Sequence, residues 1–172
     1  MSKLQKIVDK YTQDLQPMEK IYSEEFPNSD KIAKEVGRDG IVEVFDNIAR
    51  ISAERERLDS EGEVNCDELD DYWRAATRYA SIIPYQIRLY PEDVLNGLFS
   101  DSEAVRFYVA YSLGKVPFRS AHPYLNNALK QESSELNIRV LNEAIKVCSS
   151  LEKCSNEYLE KLMNKKVSWH DA

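Results

Sequence analysis

The stretch from Asp101 to Val116, DSEAVRFYVAYSLGKV, limits most strongly how this chain can fold. Asp101 or Ser102 can cap a helix by accepting hydrogen bonds from its first free amide groups, and no helix breaker follows before Gly114. At 100° per residue, the mostly apolar side chains fall into two arcs, Val105, Val109, Ser112, Leu113 and Val116 in one and Ala104, Phe107, Tyr108, Tyr111 and Lys115 in the other. A helix that is apolar on two sides lies between two layers of helices or keeps one side for a partner.

The remaining segments also favour helices. Most of the six prolines and five glycines fall between stretches with helical apolar spacing, and Ser2 and either Ser133 or Ser134 are candidate caps. IVEVF from Ile41 could form a strand by itself, but the longer window has a period near 3.6. We therefore predict an all-α chain that forms one domain over residues 1–172. Leu58 to Cys66 is its one predicted long loop.

Corresponding apolar residues recur with a period of about thirty residues. The matching sets are Val94, Leu95, Leu98 and Phe99; then Tyr124, Leu125, Ala128 and Leu129; then Tyr158, Leu159, Leu162 and Met163. The helices that start near Asp101 and Ser134 are related by a similar shift. A helix pair repeated at this period is typical of an α-solenoid.

The helix after Asp101 resembles the second helix of a HEAT-type repeat, through Val105-Arg106, Val109-Ala110, Ser112-Leu113-Gly114 and Val116. The resemblance extends over residues 91–163 and implies a HEAT-like α-solenoid of about four to five helix pairs. It also implies that Asp101, Arg106 and Arg139 tie neighbouring repeats together. HEAT-like solenoids mostly bind other proteins on the concave side, while a minority process alkylated DNA or attach bilin pigments.

One segment carries the whole charge imbalance of the chain. Its seven acids are Asp59, Glu61, Glu63, Asp67, Glu68, Asp70 and Asp71, and the remainder has 23 acids and 23 bases. Carboxylates in the first turn of a helix favour its positive end, which would explain Asp67, Glu68, Asp70 and Asp71 by local stability alone. Alternatively the cluster, beside Tyr72 and Trp73, mimics a nucleic-acid backbone and occupies a basic cleft of a protein partner.

Aligned with the HEAT repeat, three aromatic residues occupy positions that the family usually leaves variable and solvent-facing. These residues are Phe107, Tyr108 and Tyr111. They either pack under the adjacent helix or form an aromatic contact for a partner, since such rings supply large contact area at small entropic cost.

The sequence predicts no enzyme, no cofactor and no metal. His122 and His170 do not lie at a spacing that pairs them with a Cys or Ser nucleophile, and no phosphate-binding loop or H-E-x-x-H motif is present. The acids from Asp59 do not fit a calcium loop, because Gly62 is in the fourth place rather than the sixth. Three cysteines without a C-x-x-C pair favour reduced thiols in the cytoplasm.

Acidity, small size and a HEAT-like scaffold together resemble bacterial immunity proteins, including those that protect against contact-dependent growth inhibition toxins. This resemblance implies a cytoplasmic, monomeric protein that covers the active site of a basic toxin domain, often a nuclease. A general HEAT-type adaptor that binds a peptide or helix is an alternative, and a HEAT-like DNA glycosylase or bilin lyase is a second. A net charge of −7 disfavours direct binding to nucleic acid, and no apolar run approaches the length of a membrane span.

Overall fold

A computed structural model describes residues 1–62, 64–151 and 154–164 of the chain. All regular secondary structure in these ranges is helical, which confirms the all-α prediction. The chain divides into two compact units, residues 1–85 and 86–172. The prediction of one domain over the whole length stays a prediction. None of the described helices is long and apolar enough to span a bilayer.

The first unit consists of five helices and the start of a sixth. They are α1 Lys3–Thr12, α2 Pro17–Tyr22, α3 Ser29–Val36, α4 Gly40–Glu61, α5 Cys66–Ala80 and α6 Ile83–Leu89, which contains the division between the units. The long helices α4 and α5 pack along each other, α1 packs on α3 and α4, and α2 packs on α5. The segment from Ile41 is thus helical, as its longer apolar period predicts.

Helix ends in the first unit are satisfied by side chains from neighbouring helices. Lys3 Nζ donates to the Val36 carbonyl at the end of α3 (2.8 Å), and the Leu4 amide donates to a Glu43 carboxylate oxygen on α4 (2.9 Å). Terminal groups of a helix have no partner within the helix, so these bonds stabilise the ends and fix the packing of α1. A Cβ at Gly40 would lie 2.2 Å from Val36 Cγ2, so only glycine permits this close approach of α3 and α4.

The predicted loop from Leu58 to Cys66 is wrong, because α4 continues to Glu61. Arg57 forms ion pairs with Glu54 (2.7 Å) and Glu61 (2.6 Å), three and four residues away on the same helix. Such pairs stabilise a helix without any apolar periodicity, which is why the apolar pattern missed this turn. Gly62 then ends the helix in the left-handed conformation (φ 66°), where glycine has no steric penalty.

The second unit contains the remaining helices. They are α7 Pro91–Val94, a 3₁₀ helix Leu95–Phe99, α8 Glu103–Lys115, a 3₁₀ turn Arg119–Ala121, α9 His122–Gln131, α10 Glu135–Ser150 and α11 Asn156–Asn164. Helix α10 packs on α8 and α9, and the first 3₁₀ helix packs on α8 and α9. The side-chain hydroxyls of Ser102 and Ser134 accept hydrogen bonds from the first turns of α8 and α10, as the sequence predicts.

Helix α8 is covered to different degrees on the two sides that its sequence makes apolar. Val105, Val109, Ser112 and Leu113 are completely buried, and the opposite arc is buried or half-buried. Gly114 does not end the helix, which continues to Lys115. The first arc is therefore the packed side of the helix, while in the second arc only Tyr108 is buried.

Arg106 ties α8 to the turn between α9 and α10. Its guanidinium donates to both carboxylate oxygens of Glu132 (2.8 and 3.2 Å) and to the carbonyls of Ser100 (2.8 Å) and Asp101 (3.2 Å). Arg106 thus connects α8 to the turn before α10 with Glu132 as its acidic partner, and its role between HEAT-type repeats stays a prediction. Asp101 contributes only its backbone to this network and Arg139 is exposed, so the ties expected of their side chains stay predictions.

Candidate functional site

Most of the predicted acidic cluster lies on the first two turns of α5. The Asn65 side chain accepts a hydrogen bond from the Glu68 amide (3.0 Å) and so fixes the start of this helix. Asp67 and Glu68 lie in the first turn, whereas Asp70 and Asp71 lie in the second, one turn later than predicted. All four side chains are exposed, and we call this region the acidic turns.

Within the chain, the carboxylates of the cluster are only partly neutralised. Asp71 pairs with Arg74 (2.8 Å), and Glu61 pairs with Arg57 (2.6 Å). Among the described residues, Asp67, Glu68 and Asp70 form no ion pair, and Glu63 lies outside the described residues. The acidic turns therefore keep a negative potential that the first unit does not cancel.

Helix α2 lies beside α5 and presents large apolar side chains to solvent. Met18, Ile21 and Tyr22 are 62%, 45% and 56% exposed, and α2 has no buried residue at all. We call these three residues the α2 apolar face. The Arg74 guanidinium lies over the Tyr22 ring, 5.4 Å from its centroid, and also pairs with Asp71. Arg74 therefore connects the α2 apolar face directly to the acidic turns.

The α2 apolar face is not among the functional residues that the sequence suggests. Its spacing of three and four residues is the same for a side chain that faces a core and for one that faces a partner. The one available signal is the short segment that begins at Pro17 and is followed by Pro27, because the six-residue helix that it forms buries little of its own surface.

The two aromatic residues of α5 that the sequence suggests for the site differ in exposure: Tyr72 is half-buried and Trp73 is 43% exposed.

The three aromatics of α8 form a compact group in the second unit. Phe107 contacts Tyr108 edge to face (5.1 Å between centroids) and stacks on Tyr111 (6.0 Å). Lys115 Nζ lies 5.3 Å from the Tyr111 centroid. Tyr108 is only 6% exposed and belongs to the packed side of the helix, which is the first of the two alternatives that the sequence allows for it. Phe107 and Tyr111 are half-buried and present part of their rings at the surface.

An open cleft of about 320 Å³ lies between α8 and α10 in the second unit. Its lining residues are mostly apolar, with charged groups at the rim: Ala110, Tyr111, Gly114, Lys115, Arg139, Val140, Glu143, Ala144 and Val147. A concave apolar floor with a few polar groups is the usual form of a site that takes a side chain or a small ligand.

The described residues contain no group of His, Cys, Asp and Glu side chains that could hold a metal ion. Cys148 is buried on α10, and this burial raises the pKa of its thiol to about 11. The thiolate is the nucleophilic form, so Cys148 is unreactive at neutral pH. His122 lies at the start of α9, and His170 lies outside the described residues.

Comparisons with known proteins assign no relative: no protein-family model, curated protein or solved structure matches this chain.

Proposed function

We propose that this chain is a non-catalytic protein-binding protein that neutralises a bacterial toxin, a basic nuclease domain, by covering its active site. The acidic turns carry the proposal, because they combine exposed carboxylates that form no ion pair within the described residues with an exposed aromatic, Trp73, on the same helix. An exposed carboxylate without an ion-pair partner contributes little to a fold, apart from Asp67 and Glu68 in the first turn of the helix, so these side chains are available to a partner.

The physical basis of the proposal is charge complementarity. A nuclease cleft binds phosphates through Lys and Arg side chains, and a surface of carboxylates is attracted to the same groups. Such attraction accelerates the encounter of two proteins and selects basic partners over acidic ones. Inhibition then follows from occupying the cleft, without any chemical step on the inhibitor.

For the fold, we propose stacked HEAT-like helix pairs in the second unit. The packing of α10 on α8, and of α9 on the preceding 3₁₀ helix, supports the proposal, since neighbouring repeats contact through equivalent helices. The bond network of Arg106 with Glu132 also supports it, because it joins consecutive pairs.

The proposal is tested with any basic nuclease domain that proves to be encoded next to this chain, which we call the toxin domain. The purified chain and a catalytically inactive toxin domain are mixed, and binding is measured by titration calorimetry. Nuclease activity of the intact toxin is measured in parallel with increasing amounts of the chain. We expect a stoichiometric complex and loss of activity at the same ratio. A toxin that stays fully active in the presence of excess chain would overturn the proposal.

A second candidate is an adaptor that binds a peptide or helix in the cleft between α8 and α10. The observation that favours it is the apolar lining of the cleft, to which the half-buried side chains of Tyr111, Val140 and Val147 contribute. Replacing Val140 with Arg would place a charge in this lining and block such a peptide, but it would leave recognition by the acidic turns unchanged. Toxin binding by Val140→Arg therefore separates the two candidates.

A further inference from the structure

We infer that the α2 apolar face and the acidic turns of α5 form one docking surface, which fits a basic protein that presents an apolar side chain between its Lys and Arg residues. The inference rests on the proposed function and adds to it the location of the interface. The side chains of Met18 and Ile21 are not needed to explain how α2 is held in the fold, whereas Tyr22 contacts α5 through Arg74.

Helix α2 is held by hydrogen bonds to its backbone and by the contact of Arg74 with the Tyr22 ring, rather than by burial of its apolar side chains. Arg78 of α5 donates to the carbonyls of Ile21 (3.2 Å) and Ser23 (3.0 Å) at the end of α2. Burial lowers the pKa of the Arg78 guanidinium, which these carbonyls partly solvate. At the other end, the Gln16 amide donates to a Glu19 carboxylate oxygen (3.0 Å) in a capping box. The backbone is therefore fixed while the side chains remain in solvent.

Exposure of three large apolar side chains on one six-residue helix needs an explanation. Scattered apolar residues on a surface are ordinary, but adjacent ones form a patch, and such patches mark contact sites with other molecules. Because α2 is fixed in position, its side chains are presented with little loss of backbone entropy on binding. The apolar part of the surface is thus preorganised.

The patch continues into the acidic turns along one stripe of α5. Positions 67, 71, 74 and 78 are separated by three or four residues and so share one side of the helix. The second half of this stripe, Arg74 and Arg78, contacts α2, as the contacts with Tyr22 and Ile21 show. The first half, Asp67 and Asp71, is exposed to solvent, and so is Asp70, the neighbour of Asp71 in the chain.

The negative charge of this surface favours a basic protein as its partner. Asp67 and Asp70 form no ion pair within the described ranges, so a partner that supplies Lys or Arg there gains two new pairs. A nucleic acid is disfavoured, because its phosphates would face carboxylates. A second copy of this chain in a symmetric dimer would bring the same acids against each other, which is also unfavourable.

Two pairs of variants and their matched controls test the docking surface with the same inactive toxin domain. Met18→Ser with Ile21→Ser removes the apolar contact, and its control is Val42→Ser with Leu136→Ser, which are comparably exposed elsewhere. Asp67→Asn with Asp70→Asn removes the charge, and its control is Glu143→Gln with Glu160→Gln. Thermal unfolding of every variant establishes that the fold is intact.

We expect the two pairs of variants to change different rate constants of binding to the toxin domain. The apolar pair should raise the dissociation rate about 30-fold, because buried contacts mainly determine how long a complex lasts. The charge pair should lower the association rate about tenfold at low salt, and the controls should stay within about twofold. On binding, amide exchange should slow in residues 17–22 and 66–72.

Two outcomes overturn the inference, and they are distinguishable. If the wild-type chain binds the toxin but the apolar pair binds as tightly as its control, and residues 17–22 gain no exchange protection, the interface lies elsewhere and the proposed function stands. If the wild-type chain does not bind the toxin at all, the proposed function fails and this docking surface fails with it.

Discussion

Glu132 and the acidic turns of α5 contain the same chemical group in opposite surroundings. The Glu132 side chain is 2% exposed and accepts hydrogen bonds from Arg106 (2.8 and 3.2 Å), from the backbone amides of Ser133 and Ser134 (3.0 and 3.1 Å) and from Asn137 (3.1 Å). Asp67 and Asp70 are exposed, and in the described part of the chain neither forms an ion pair.

This contrast separates carboxylates that build the fold from carboxylates that are available to a partner. Bonds from Arg106, followed by those from Ser134 and its neighbours, lower the pKa of Glu132 to about 2 from an ordinary value of 4.5. A carboxyl group with a lowered pKa stabilises the folded state when it is ionised. The acidic turns have no comparable network, so we expect their removal to affect recognition rather than folding.

The largest effect is expected from Glu132→Gln. Loss of the charge removes the interaction that lowers the pKa of this carboxyl group and leaves Arg106 without its acidic partner. We expect the free energy of unfolding at pH 7 to fall by about 3 kcal/mol, which is the value of a shift of this size. Urea denaturation measures it, with Glu143→Gln as the exposed control. Equal stability of the two variants would show that the charge of Glu132 does not stabilise the fold.

The lowered pKa of Glu132 also predicts how the free energy of unfolding depends on pH. The folded-state pKa lies below the unfolded one, so the contribution of Glu132 is fully present above about pH 4.5 and is lost as pH falls toward 2. Wild type and Glu132→Gln should therefore differ most at neutral pH and converge near pH 2. Denaturation series at several pH values measure this difference. A constant difference over the whole range would contradict the assigned cause.

A smaller effect on folding is expected at the acidic turns. Asp67→Asn with Asp70→Asn should lower the free energy of unfolding by about 0.5 kcal/mol or less, because only Asp67 lies in the first turn and favours the helix dipole. The same urea titration measures it. A loss of stability comparable to that of Glu132→Gln would show that these acids stabilise the fold. They would then not differ from Glu132 in their role.

The smallest effect on folding is expected at the α2 apolar face. Met18→Ser with Ile21→Ser should change the midpoint of thermal unfolding by only about 1–2 °C, since exposed side chains lose little burial. Val8→Ser, a buried residue of the neighbouring helix α1, is the matched contrast and should lower the midpoint strongly. A marked loss in the α2 variant would mean that its apolar side chains hold the fold after all.

Structural elements that depend on the local pattern of residues could be predicted from the sequence. The cap at Ser102, the start of α7 at Pro91 and the buried apolar arc of α8 all follow from residue spacing and from the bonds available at helix ends. The continuation of α4 through Arg57 did not follow, because charged pairs rather than apolar residues stabilise that turn.

What depends on tertiary packing could not be predicted from the sequence. Glu132 and Arg106 are 26 positions apart, so nothing local indicates their pairing. The burial of Tyr108 beside the partly exposed Phe107 depends on which helices cover α8. For the candidate site, the acidic turns were visible as a charge cluster, whereas the adjoining α2 apolar face required knowledge of where Arg74 and Arg78 meet α2.

The central claim is that the acidic turns recognise a basic protein by charge. Its most direct test is the association rate of the wild-type chain and of Asp67→Asn with Asp70→Asn with the toxin domain, measured between low and high salt. We predict a wild-type rate that falls steeply with salt and a variant rate that is lower and falls less steeply. Identical rates and identical salt dependence of the two proteins would contradict the account.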